Sequence, residues 1–286
     1  MLTITVLLEN ETSFENLTCE HGLSMLLACE GKSLLLDTGK SDAFLRNASI
    51  MGVDLDAVSA IVISHGHHDH AGGLGHILRR FAQTPNQRPE VIAHPDILRF
   101  RRRTAAAKEE PGKYLGVPED ALALLQSWPL RLTREPVQLT ESLLYLGEIP
   151  RKYPETQALL GEIACREGDD DADKKYKPDR LLDDTALVYV NGEGENRALT
   201  IISGCAHSGI INVIEHAKTV TGVGRIHAVI GGLHLKGVSD AVKEQTLRYF
   251  TAQNVEVLRG CHCTENALDG DARQKPLHTG DIIEIA

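Results

Sequence analysis

Ile61-Val-Ile-Ser-His65-Gly-His67-His68-Asp69-His70-Ala-Gly72-Gly73 is a short β-branched apolar run that ends in four imidazoles and one carboxylate within six residues. Two glycines follow. On an extended backbone alternate side chains share a face, so His65 and His67 point the same way. Asp69 and His70 come next, where the chain is expected to turn into an amphipathic helix over residues 73–81, with Leu74, Ile77, Leu78 and Phe81 on its apolar face. Packing gives no reason to crowd so many imidazoles together. Coordination of one or two metal ions does, because neutral imidazole nitrogen and carboxylate oxygen are preferred ligands of zinc, iron and manganese. A solvated polar turn is the plainer alternative.

Working outward, 286 residues suffice for one large domain or two small ones, and 42% hydrophobic with 24% charged residues is ordinary globular composition. No apolar run is long enough to span a bilayer, and Met1-Leu-Thr-Ile-Thr-Val-Leu-Leu lacks the basic start and cleavage site of a secretory signal. A cytoplasmic location is therefore expected, with no membrane partner. A net charge of −10 argues against nucleic acid as the partner and leaves a small-molecule substrate. The six cysteines (Cys19, Cys29, Cys165, Cys205, Cys261, Cys263) do not form a disulfide framework in a chain this long. The compositional anomaly is the thirteen histidines.

Strands are expected at 2–8, 23–29, 33–36, 60–64 and 89–94, with a helix from a cap at Ser41 or Asp42 to about Met51, stopped by Gly52. From about Arg99 to Arg180 the character changes. Arg101-Arg102-Arg103 with Lys108 is basic, Gly168-Asp-Asp-Asp-Ala-Asp173 acidic and Lys174-Lys-Tyr-Lys177 basic again, and seven prolines from Pro111 to Pro178 punctuate the segment. It reads as an insertion or lid within one domain spanning 1–286. Its charges are either a solvated surface or, through Arg101, Arg102, Arg103, Lys108 or Lys113, a grip on an anionic substrate group. Beyond Arg180 strands at 186–190, 198–203, 227–230, 255–258 and 281–285 alternate with helices at 210–220 and 239–252, the pattern of an α/β fold.

The same ending recurs along the chain. Apolar strands lead to Asp37, to His65, to Cys205-Ala-His207, to His234 and to Cys261-His262-Cys263. Each ligand-type side chain falls just past a carboxyl end, the edge where α/β proteins place their sites. One histidine after a strand is usually structural; several arriving beside His65–His70 point to a shared metal site.

His65-x-His67-x-Asp69-His70 after one strand, preceded by Asp37-Thr-Gly after another, resembles the metallo-β-lactamase superfamily. The resemblance implies an αββα sandwich with one or two metals between the loop edges of its sheets, and covers about residues 1–95 and 181–286. Ala93-His-Pro95, Asp183-Asp184-Thr-Ala-Leu, Gly204-Cys-Ala-His-Ser-Gly-Ile210, Gly231-Gly-Leu-His-Leu235 and Cys261-His-Cys-Thr264 are similar to its dihydropteroate-synthase-like branch. That branch's named activity is 7,8-dihydropterin-6-methyl-4-(β-D-ribofuranosyl)aminobenzene-5′-phosphate synthase.

Carried over by position, the resemblance implies His65 and His67 on one metal and Asp69 and His70 on the second. His207 and His234 are the further ligands, and Cys205 stands where the superfamily's bridging aspartate is expected. His262 is either the last ligand or a residue behind the ligands. Asp69, Cys205 and His262 are the catalytic candidates, Asp37 orients a ligand, and Asp184 is a ligand or a helper. Zinc is the first expectation for both ions, with iron or manganese as alternatives. The implied activity is a metal-dependent hydrolase or a pterin–arylamine condensing synthase acting on an anionic, phosphorylated small molecule. The rivals are an iron-dependent redox or sulfur-handling protein using Cys205, Cys261 and Cys263, and a ligand-binding member without catalysis.

Overall fold

The structure, a computed structural model, describes residues 1–84, 88–104, 110, 112–157, 163–166 and 176–286. The chain begins with β1 (Leu2–Leu8), β2 (Ser24–Cys29), β3 (Lys32–Leu36), α1 (Ala43–Ile50), β4 (Val58–Val62), α2 (His68–Ala71), α3 (Leu74–Ala82) and β5 (Glu90–Ala93). Then come β6 (Arg101–Arg103), α4 (Glu119–Leu125), β7 (Leu130–Leu132), β8 (Val137–Gln138), β9 (Leu143–Tyr145), β10 (Ile163–Arg166) and β11 (Tyr176–Pro178). The last part holds β12 (Ala186–Asn191), β13 (Ala198–Ser203), α5 (Ile210–Thr221), β14 (Ile226–Gly232), α6 (Asp240–Ala252), β15 (Val257–Cys261) and β16 (Ile282–Ile285).

Strand periodicity explains the layering. Leu34 and Leu36 of β3, Ala60 and Val62 of β4 and Ile92 of β5 turn inward and meet Leu187 and Tyr189 of β12, Ile202 of β13 and Ala228 and Ile230 of β14. The residues between them, Leu35, Ile61 and Val91, face outward onto α1, α3 and α4. Val188, Ile201 and Val229 do the same on the other side, under α5 and Phe250 of α6. Strands buried on both faces must be continuously apolar, as these are. Each fully buried Leu, Ile or Val contributes roughly 1.5–3 kcal/mol against remaining in water. The result is an αββα sandwich.

The first sheet has the order β16-β1-β2-β3-β4-β5-β7 and the second β15-β14-β13-β12-β9-β8. Hairpin strands β1, β2 and β3 pair antiparallel, whereas β3, β4 and β5 run parallel, with Leu34 opposite Ala60 and Leu36 opposite Val62. In the second sheet β13, β14 and β15 are parallel neighbours. Two groups of parallel strands therefore release their carboxyl-terminal loops side by side.

The segment 99–180 contributes strands to both sheets. Strand β7 extends the first sheet beside β5, and β8 and β9 complete the edge of the second. Leu143 and Tyr145 are fully buried between the sheets, so this stretch is part of the core. Outside it, β6, β10 and β11 form a three-stranded sheet of their own. Among the described residues no helix is long and apolar enough to cross a membrane.

Candidate metal centre

The histidine loop is fastened from both sides before any ligand is considered. Asp37, just past β3, accepts the Ser64 N–H at 2.7 Å through Oδ1, and its Oδ2 accepts the Ser64 hydroxyl at 2.6 Å. The same Oδ2 lies 2.7 Å from His70 Nδ1, which turns His70 Nε2 into the site. Thr38 donates both its N–H and its hydroxyl to the His70 carbonyl, and the His68 N–H is accepted by Leu115. The second sheet comes close enough to share this corner because residue 204 is glycine. A Cβ there would stand 2.1 Å from Ser64 Oγ and 2.8 Å from Asp37 Oδ2.

Asp37, Ala206, His234 and His262 all have positive φ, between 43° and 58°. For residues with a Cβ that conformation costs roughly 1–2 kcal/mol each, and such strain collects where a site demands it. These turns carry or adjoin Asp37, Cys205, His207, His234 and His262.

His65 Nε2 and His67 Nδ1 are 3.1 Å apart, and His70 Nε2 and His262 Nε2 are also 3.1 Å apart. Ligands held about 2.0–2.1 Å from one tetrahedral ion stand roughly 3.3 Å from each other. His65, His67 and His207 form one group with donor atoms within 4.8 Å of one another, and His65, His70 and Cys205 form another. Asp69, His262 and His21 form a third, with Asp69 Oδ2 at 3.2 Å from His21 Nε2 and 3.5 Å from His262 Nε2. Cys205, His234 and Cys263 form a fourth. His67 Nε2 and His234 Nδ1 are buried with no hydrogen-bond partner among the described residues. Imidazoles clustered at ligand spacing fit divalent metal ions.

The charges agree with that chemistry. Burial, then the neighbouring imidazoles, push His65 and His67 well below the usual histidine range, leaving them neutral with lone pairs available. Burial opposes the charge on Asp69, yet hydrogen bonds from His21 and His262 outweigh it and keep the group a carboxylate. Burial also opposes protonation of His70, but the charge and hydrogen bond of Asp37 hold its pKa at about 9. Cys205 and Cys263 lie with Sγ atoms 3.3 Å apart. Although burial works against it, Cys263 is held well below the thiol range by its bond to Cys205 and the charge of His234.

Asp184 is fully buried, accepts the His207 and Ser208 N–H groups at 3.0 and 2.8 Å and takes the Ser208 hydroxyl at 2.6 Å. It fixes the turn that carries His207 and belongs to none of the four ligand groups. Arg101, expected to meet substrate, is fully buried and gives Nε to Asp179 and Nη2 to Asp183. Asp183 in turn accepts the Gly66 N–H at 2.7 Å, so Arg101 braces the histidine loop from behind. Arg102 alternates to the opposite face of β6 from Arg103. Lys108 lies outside the described residues.

Of the basic candidates in this segment, Arg103 and Lys113 line the site, and Lys40 and Lys236 join them from elsewhere. A cavity of about 480 Å³ is floored by His67, Asp69, His207 and His234 and rimmed by Lys40, Arg103, Lys113 and Lys236. Lys113 and Lys236 pair with Glu110 and Glu265, while Arg103 Nε is buried with no hydrogen-bond partner among the described residues. His21 and Asn10 are further arrivals that sequence reasoning left out. His21 is a lone histidine in a loop, and Asn10, whose Oδ1 is 3.0 Å from His262 Nδ1, sits in another, so neither carries a local signal. His94 accepts the Asp96 N–H and meets Glu148, away from the cavity. Cys261 packs into the core between the sheets.

An αββα sandwich with imidazoles and a carboxylate gathered where its two sheets release their loops is the architecture of one well-populated class of α/β proteins. The chain belongs to the metallo-beta-lactamase superfamily, whose family model matches residues 17–138. It is 30% identical over 262 residues to an uncharacterized protein of Methanocaldococcus jannaschii, covering 91% of this chain and 90% of that one. It is 28% identical over 286 residues to the 7,8-dihydropterin-6-methyl-4-(beta-D-ribofuranosyl)-aminobenzene-5'-phosphate synthase of the same organism, covering 93% and 90%. A solved structure described as a metal-dependent hydrolase of the beta-lactamase superfamily superposes with a TM-score of 0.80 at 27% identity, over 100% of both chains.

Proposed function

We propose that the protein is a metal-dependent enzyme that displaces a group from an anionic, phosphorylated small molecule. The observation that carries this reading is the cavity itself, with buried imidazole and carboxylate groups at ligand spacing on its floor and cations on its rim. His65, His67 and His207 would hold one ion, and Asp69, His70 and His262 the other, with His234 and Cys205 adjoining. Zinc suits these donors first, and iron or manganese is accepted by the same set. Ions bound there would supply Lewis acidity toward the bond under attack and the departing anion. Arg103 and Lys40 hold the anionic end of the substrate, while Asp37 and Asp184 keep His70 and the His207 turn in place. The attacking group is water in a hydrolase or an arylamine in a condensing synthase; the 28% identical synthase supports the second.

Turnover of phosphoester and pterin substrates by the metal-loaded protein tests this. His67→Ala and Asp69→Ala are each expected to lower it ~100-fold or more, since even residues behind the ligands are worth 10–100-fold. Folded, metal-depleted Asp69→Ala protein with full turnover would contradict it.

A further inference from the structure

Three parallel neighbours, β13, β14 and β15, lie side by side, and each releases a donor just past its end: Cys205, His234 and Cys263. Strands in a sheet are ~4.8 Å apart, so their first loop residues converge without further folding. The two Sγ atoms are 3.3 Å apart, and the His234 N–H reaches Cys263 Sγ at 3.2 Å. Room for that sulfur comes from Gly232, where a Cβ would stand 2.9 Å from Cys263 Sγ and 2.1 Å from the Gly204 carbonyl oxygen. Thr264 Oγ1 accepts the Leu233 N–H at 2.9 Å and pins the turn that carries His234. His234 Nδ1 is buried with no hydrogen-bond partner among the described residues. Two sulfurs and one imidazole form a soft donor set, suited to zinc and its substitutes and unsuited to magnesium or calcium.

We propose that Cys205, His234 and Cys263 form a thiolate-bearing subsite that takes a thiophilic divalent ion beside the imidazole–carboxylate groups. The proposal rests on reading the pocket as a metal centre, and cobalt(II) titration of the reduced, metal-depleted full chain separates the two ideas. Visible d–d bands report cobalt bound anywhere in the pocket; near-ultraviolet thiolate-to-cobalt charge transfer reports sulfur ligation. Both are expected in the natural sequence, and Cys263→Ser or Cys205→Ser is expected to weaken the charge-transfer band while d–d bands persist. Visible bands without charge transfer, or charge transfer unchanged in both variants, would overturn the subsite and leave the metal centre standing. Failure to bind cobalt at all would overturn both.

Alkylation of the natural sequence provides a check that needs no variant. Zinc is expected to protect Cys205 and Cys263 from iodoacetamide, while exposed Cys19 is modified with or without zinc. Equal modification of Cys205 and Cys263 in both states, or a Cys205–Cys263 disulfide persisting in the zinc-loaded protein, would overturn the proposal.

Discussion

Asp37 touches three groups that matter: Ser64 through its N–H and hydroxyl, and His70 through Nδ1. Asp37→Asn would keep the shape but lose the charge that holds His70 near a pKa of 9. We expect metal affinity to fall 10–100-fold, the usual effect of removing a group that orients a ligand, as measured by competition with a chromophoric chelator. The same raised pKa has a consequence for pH. His70 is protonated below about 9 in the metal-free protein and must be neutral to bind an ion. Loading near neutral pH should therefore release a proton at His70, and affinity should climb as pH rises toward 9. Calorimetric titrations in buffers of different ionisation enthalpy measure that release; none at pH 7 would contradict the assignment of His70. At this scale the sequence disclosed the dense motif well, because six adjacent residues carry it. His21 and Asn10 were illegible because they reach His262 and Asp69 through space from separate loops.

Strands β3, β4, β13, β14 and β15 were readable as elements because each is a run of apolar residues ending in a ligand-type side chain. Strands of two or three residues, such as Val137–Gln138 and Leu143–Tyr145, are too short to show a period, and the prolines around them resemble loop punctuation. That is why the segment 99–180 reads as an insertion or lid, although it contributes strands to both sheets. Strand β6 misled differently. Arg101 reads as a surface cation, yet it is fully buried between two aspartates from the loop after β11. Replacing it with methionine would leave Asp179 and Asp183 buried without their counter-charge. A broken buried pair costs about 3–5 kcal/mol, and chemical denaturation should record a loss of that size. A loss below about 1 kcal/mol would mean that Arg101 is not the brace described here.

At the scale of the whole molecule the sandwich explains why the site exists. Inward alternation from both sheets builds one core, and the parallel strands on each side open their loops at a common edge. His65, His67, Asp69 and His70 come from the first sheet, and His207, His234 and His262 from the second. An ion bound among them would tie the two sheets together, and binding to the folded state alone raises stability. The α/β class was legible because strand–helix alternation is a local signal, and the αββα sandwich came from the motif's family resemblance; the meeting of the two halves across more than a hundred residues is not a local signal. The most direct test is the number of zinc ions retained per chain by the full-length protein after loading and removal of excess metal. About two or more are expected, with about one fewer in His67→Ala and in Asp69→Ala. Retention below about 0.1 ion per chain, or equal retention in the natural sequence and both variants, would contradict that expectation.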